Sequence, residues 1–212
     1  MLQKKGGRGF PHCIVMDSSG TVMKELRPSS ESAFVGGMSM INLLFKARAA
    51  VNDDSLSKSK KKTAQMNLDL LEAVFNPDES KFKELMKVAK KKRISKEARD
   101  AFVGMVKIWP IRKECEKAEK ALAKMRDRAG RAKVTKERDA ALYDIFLEKG
   151  TKVEDSGSDY FDTFWMAIAN HSLVMDDKKR GMQAVDLLLK KYEGNRRATD
   201  YFKGLQRKLE KL

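Results

Sequence analysis

Apolar positions along this chain recur at the 3.6-residue period of helices almost throughout, and β-prone runs are confined to its first thirty residues. There, Cys13-Ile14-Val15-Met16 and Thr21-Val22-Met23 flank the turn-forming Asp17-Ser18-Ser19-Gly20, which predicts a short N-terminal β-hairpin. After Pro28 the stripes are helical: Phe82, Leu85, Met86 and Ala89, then Leu142, Ile145 and Phe146, then Met182, Val185, Leu188, Leu189 and Tyr192. About nine helices are expected, near 31–51, 63–75, 77–93, 96–109, 111–133, 136–149, 159–172, 177–193 and 195–211. The expected fold class is all-α, a mainly helical bundle behind an N-terminal β-hairpin.

Punctuation supports these bounds. Asn76-Pro77-Asp78-Glu79 offers an N-cap, a proline at the first helical position and acids in the first turn. Ser95 can cap a helix that runs to Trp109 before Pro110, and Thr135 can cap another that ends at Gly150. Asp176 or Asp177 opens a helix that Gly194 follows. Two helices carry thinner seams, Ile111-Cys115-Ala118-Leu122-Met125 and Ala198-Phe202-Leu205-Leu209-Leu212, at spacings of four and three. Two heptads are short for a coiled coil, so packing into the molecule's own bundle is favoured over a subunit contact. The helix holding Met38, Met40, Ile41, Leu43, Leu44 and Phe45 is apolar nearly all round, so it is either central or buried against a partner.

Composition divides the chain. Residues 1–28 form a basic arm and hairpin, 29–153 a basic helical domain, and 159–212 a smaller neutral three-helix subdomain. The polar segment Glu154-Asp155-Ser156-Gly157-Ser158-Asp159 is the linker, and 7 of the 16 aromatics lie beyond it. Of a formal net charge of +15, residues 58–138 hold +13, from 25 basic and 12 acidic side chains, and residues 139–212 hold none. The most apolar stretch, Ala33–Phe45, is interrupted by Ser39 and Asn42 and is shorter than the roughly 18 residues of a span. A transmembrane segment and a secretory signal are therefore not expected. Two cysteines, Cys13 and Cys115, make no disulfide framework and point to an intracellular, cytoplasmic or nuclear, reducing compartment.

Enzyme signatures are missing. The chain has no phosphate-binding loop and no dinucleotide fingerprint, and its His12, His171, Cys13 and Cys115 show no zinc spacing. His171 reads as a helix-end histidine. No catalytic residue, metal or cofactor is assigned, and a non-enzyme is expected.

The basic runs carry the functional reading. Lys58, Lys60, Lys61 and Lys62 lie in a polar stretch; Lys90, Lys91, Lys92 and Arg93 end one helix, with Lys96 and Arg99 just beyond; Lys124, Arg126, Arg128, Arg131 and Lys133 stud another. Such groups contact backbone phosphates without reading sequence. With Phe82, Phe102 and Trp109 assigned to the core, no base-stacking platform is visible. The expected function is sequence-non-specific binding and packaging of nucleic acid, RNA favoured over DNA, by a self-assembling protein. A matrix-type structural protein on anionic membrane is the alternative, and a helical scaffold or enzyme accessory protein the third.

In helical content, twelve methionines and basic charge the chain is similar to matrix proteins and nucleoproteins of negative-strand RNA viruses, a likeness that would put it in the virion and carries over no residue. The run Lys90–Arg93 also fits a nuclear-import patch. Acids become frequent after Arg138: Asp144, Glu148, Glu154, Asp155, Asp159, Asp162, Asp176 and Asp177. If they share one face, the molecule is dipolar and assembles head to tail. If they pair internally, it does not.

Overall fold

The structure, a computed structural model, describes residues 13–16, 22–26, 31–154, 158 and 160–212. It is 80% helix. Strand β1, Cys13–Met16, pairs antiparallel with β2, Val22–Leu26, Cys13 standing opposite Leu26 and the register shifting between Val15 and Met16. The basic arm and the turn expected at 17–20 lie outside the described residues. Eight α-helices follow among the described residues, where about nine are expected.

The chain forms two compact units, residues 1–107 and 108–212, and the division falls inside a helix. In the first unit, α1, Glu31–Asn52, packs on α2, Lys58–Phe75. Leu44 and Ala47 meet Leu68 and Leu71, with Ala98 closing the cluster. Asp78 caps a single 3₁₀ turn, Glu79–Lys81, and α3, Phe82–Ala89, follows. The expected start at Asn76-Pro77 is thus displaced: Asn76 is the C-cap of α2, and the first turn of the expected helix is 3₁₀. The Phe82 and Phe102 rings meet edge to face, centroids 6.0 Å apart.

Helix α4, Lys96–Lys124, continues past Pro110, where a stop is expected. Proline in a helix interior costs about 3 kcal/mol. The stripe on either side of it is fully apolar and buried, with Phe102 and Met105 before it and Ile111, Cys115 and Ala118 after. Each large side chain so buried is worth about 1.5–3 kcal/mol, enough to outweigh the proline. The stop comes instead at Met125, and Asp127 opens α5, Arg128–Lys149, by accepting from the Gly130 N–H at 2.6 Å. Thr135 is no cap; its hydroxyl donates to the Arg131 carbonyl inside that helix.

The second unit holds the C-terminal part of α4 with α5, α6 (Phe161–Val174), α7 (Lys178–Lys191) and α8 (Arg196–Glu210). Helix α5 packs on α6, α6 on α7, and α7 on α8. One core runs through them, centred on Trp165, Phe164, Ile168, Leu188 and Leu209, and Trp165 donates to the Val153 carbonyl at 2.9 Å. Val153 and Phe161 belong to the same core cluster, so one core spans the position of the expected linker. Ile111 and Cys115 of one thin seam, and Phe202, Leu205 and Leu209 of the other, enter that core too.

Helix α1 departs from expectation in a different way. Its stretch Phe34–Asn52 is, by length and composition, apolar enough to cross a membrane, and only 11% of it is buried. It is the one such helix among the described residues.

Candidate nucleic-acid interface

Two cationic grooves form, one in each unit. In the first, Ser57 caps α2 and places Lys58, Lys60, Lys61 and Lys62 in its opening turns. The Asn67 side chain, one turn on, accepts from the Ser95 N–H at 3.0 Å, and the Ser95 hydroxyl in turn accepts from the Ala98 N–H at 3.1 Å. That pair of bonds holds the turn between α3 and α4 against α2. The result is a groove of about 420 Å³ lined by Lys62, Thr63, Met66, Lys91, Lys92 and Arg93. Two runs some thirty residues apart in sequence therefore share one surface. Lys62, Lys92 and Arg93 have no carboxylate partner among the described residues, and Lys91 only touches the Met66 sulfur at 3.7 Å.

Not every expected cation faces outward for a ligand. Lys61 pairs with Asp54 at 2.7 Å. Arg99 folds back onto the backbone, donating to the carbonyls of Ala89, Lys91 and Ile94 at 2.8–3.3 Å. It closes the turn that carries Lys90–Arg93. Lys58, Lys60, Lys90 and Lys96 are exposed beside the groove and do not line it.

In the second unit the third run divides. Arg126, Arg128 and Arg131 line a groove of about 790 Å³ between the end of α4, the start of α5 and the end of α6, together with Lys136. Lys124 lies on another face of α4, with Lys113, Lys117 and Lys120, and Lys133 stands 4.0 Å from Glu137. Arg131 repeats the role of Arg99, donating from one nitrogen to the Leu122 and Met125 carbonyls at the end of α4. Eight of its eleven lining residues are absent from the expected site, Lys136, Asp139, Asn170 and His171 among them. The spacing from Arg128 to His171 is long-range, so no local pattern exposes it.

The helix starts supply a second electrostatic feature. The first turn of a helix is positive and favours acids, by about 0.3–1 kcal/mol each. Helices α2, α5, α7 and α8 carry no acid there. They open instead on Lys58, on Arg128, on Lys178-Lys179-Arg180 and on Arg196-Arg197. At α5 and α7 the capping carboxylates of Asp127 and Asp177 offset part of this charge, whereas α2 and α8 are capped by the neutral Ser57 and Asn195, where a bound anion would relieve it. The two starts in α7 and α8 lie in a region whose charges sum to zero, which is why counting by region misses them.

The acids expected to form a negative face are divided. Asp162 accepts from Lys191 and from the Tyr192 hydroxyl, both at 2.8 Å. Asp177 accepts from Tyr143, and Glu154 pairs with Lys152 at 3.0 Å. Asp144, Glu148 and Asp176 remain exposed, while Asp155 and Asp159 lie outside the described residues. Burial pushes the Cys115 thiol up to about 11, which leaves it neutral and inert at physiological pH. His171 lies half-buried against the Tyr143 ring, centroids 5.0 Å apart. Among the described residues no three His, Cys, Asp or Glu side chains cluster in a way that could hold a metal ion.

Compared with protein-family models, with curated proteins and with solved structures, the chain finds no match.

Proposed function

We propose that this protein binds nucleic acid, RNA in preference to DNA, through backbone phosphates and without sequence specificity, and that it packages that polymer by assembling with copies of itself. The observation that carries the reading is the groove where Lys62 meets Lys91, Lys92 and Arg93, four cations without a carboxylate partner among the described residues. Like charges gathered on one surface repel, and such a cluster gains most from a ligand that brings its own row of negative charge. Lysine suits this use because a mobile point charge follows an irregular phosphate backbone. No chemistry of bond making is assigned, and none of the residues named acts as a catalyst.

A second reading, a matrix-type protein on anionic membrane, is favoured by one observation: the apolar Phe34–Asn52 of α1, only 11% of which is buried. A basic surface near an apolar helix can lie on an anionic leaflet. The deciding experiment measures binding of a 40-nucleotide RNA and of phosphatidylserine vesicles under the same salt series. The nucleic-acid reading expects tight, length-dependent retention of RNA at moderate salt and weak co-flotation with vesicles. Strong co-flotation with little retained RNA would replace it by the membrane reading, and neither would leave the scaffold reading.

A further inference from the structure

We propose that the groove of the second unit is a nucleotide pocket, which takes one unpaired base together with its phosphate. The inference rests on the nucleic-acid reading for its rim and adds the floor, which that reading does not use. The rim is cationic, with Arg126, Arg128 and Arg131 at the start of α5. Arg131 spends one nitrogen on the carbonyls of α4, so its plane is fixed, while Arg126 and Arg128 are exposed and have no ion pair among the described residues. The start of α5 is already capped by the Asp127 carboxylate, so the phosphate would be held by the guanidinium forks of Arg126 and Arg128.

The floor selects what hangs from that phosphate. It combines apolar surface from Leu122, Ala132 and Val174 with the polar trio Asp139, Asn170 and His171. Asp139 is 5% exposed; its Oδ1 accepts from both Nε and Nη2 of Arg138, at 3.0 and 2.6 Å, and its Oδ2 accepts only a long bond from Asn170, at 3.4 Å. The side-chain Oδ1 of Asn170 accepts nothing among the described residues. An acyl chain laid over these oxygens would desolvate them with no replacement bond, which is costly. A bare sugar phosphate would satisfy them but leave the apolar wall wet. A nucleobase does both. Its flat faces cover Leu122 and Val174 and meet the His171 ring, and its N–H edge reaches Asn170 or Asp139. The Watson–Crick edge and the ring faces of a base are free together only when it is unpaired and unstacked, so the pocket favours single strands over duplexes. At about 790 Å³ the groove lies within the range of small-molecule sites.

The test uses the full chain and three probes: AMP, ribose 5-phosphate and inorganic phosphate, titrated by calorimetry and by amide chemical shifts. AMP is expected to bind at least about fivefold more tightly than ribose 5-phosphate, the share a stacked base contributes. Shifts are expected at Asn170, His171 and Val174 and not at Lys91–Arg93. Arg128→Glu, an exposed change, should remove AMP binding without altering the helical content. Equal affinity for AMP and ribose 5-phosphate, or shifts confined to Lys91–Arg93, would overturn the pocket even if long RNA binds. A pocket that binds AMP in a protein that does not retain RNA would keep this inference and overturn the packaging reading instead.

Discussion

Asp177 gathers three donors. It caps α7 by accepting from the Arg180 N–H at 3.1 Å, accepts from the Tyr143 hydroxyl at 2.6 Å, and is bonded by the Arg180 guanidinium. Burial alone would raise its carboxyl, but the Tyr143 and Arg180 donors hold it below the usual carboxylate value. A carboxylate with a depressed value in the folded state stabilises the fold fully above its unfolded value, about 3.9, and loses that contribution as pH falls through the folded one. Asp177→Ala should therefore cost about 1–3 kcal/mol at neutral pH, and the gap between variant and wild type should close in acid below about pH 4. Chemical denaturation at pH 7 and pH 3 reads both; a gap that stays constant would remove the linkage. Close by, Gly181 leaves no room for a side chain, since an added Cβ would sit 2.4 Å from Leu209 Cδ2 and 2.9 Å from Ser172 Cβ. Alanine's helix propensity would favour the change by about 1 kcal/mol. Overpacking between buried neighbours costs about 1–3 kcal/mol, so Gly181→Ala is expected to lower the thermal midpoint. A raised midpoint would show that α7 and α8 can part cheaply.

At the scale of elements, the sequence is most readable where one residue type settles a terminus. Gly150 takes φ 59° as the left-handed end of α5, and Gly194 takes φ 84° after α7, both at expected stops. Asp177 and Ser95 cap as read. Local rules fail where burial on both sides of a breaker outweighs it, as at Pro110, and where a weaker signal wins because the stripe loses phase. Met125 is exposed although it continues the seam of Ile111 and Cys115, so α4 ends there and Asp127 takes over. The proposed binding surface is half legible. Its cations stand out in the sequence, but the meeting of Lys62 with Lys91–Arg93 depends on the Asn67–Ser95 bond, a contact between distant positions. Nor does composition separate Arg99 and Arg131, which brace helix ends, from the lysines that face solvent. The separation is testable. Arg99→Lys keeps the charge and loses the fork to three carbonyls, so it should lower stability by about 1–2 kcal/mol and leave RNA affinity nearly unchanged. Lys91→Gln with Lys92→Gln should do the reverse. Denaturation and filter binding on the same two proteins would expose an error if both properties moved together.

For the whole molecule, the charge is carried by both units: residues 1–107 hold 21 basic and 12 acidic side chains, and residues 108–212 hold 24 and 18. The expected picture of one basic and one neutral body therefore gives way to net charges of +9 and +6. This weakens the case for a negative end. Of the acids expected to share that face, Asp162 and Asp177 are committed internally, and Asp144, Glu148 and Asp176 stand exposed without an ion pair among the described residues. Asp144→Lys with Glu148→Lys should shift sedimentation toward smaller species at low salt if assembly uses them, and leave it unchanged if it does not.

The central claim, that unpaired cations hold nucleic acid by its phosphates, is tested most directly by the salt dependence of RNA affinity. Wild type and a variant with Lys62, Lys91, Lys92 and Arg93 all changed to Gln would be titrated with one RNA from about 50 to 200 mM salt. The account predicts a linear fall of log affinity with log salt for the wild type. For the variant it predicts weaker binding to every sequence and a slope smaller by about 0.7 for each lost phosphate contact, close to 3 in all. An unchanged slope in a folded variant, or an affinity indifferent to salt, would contradict it.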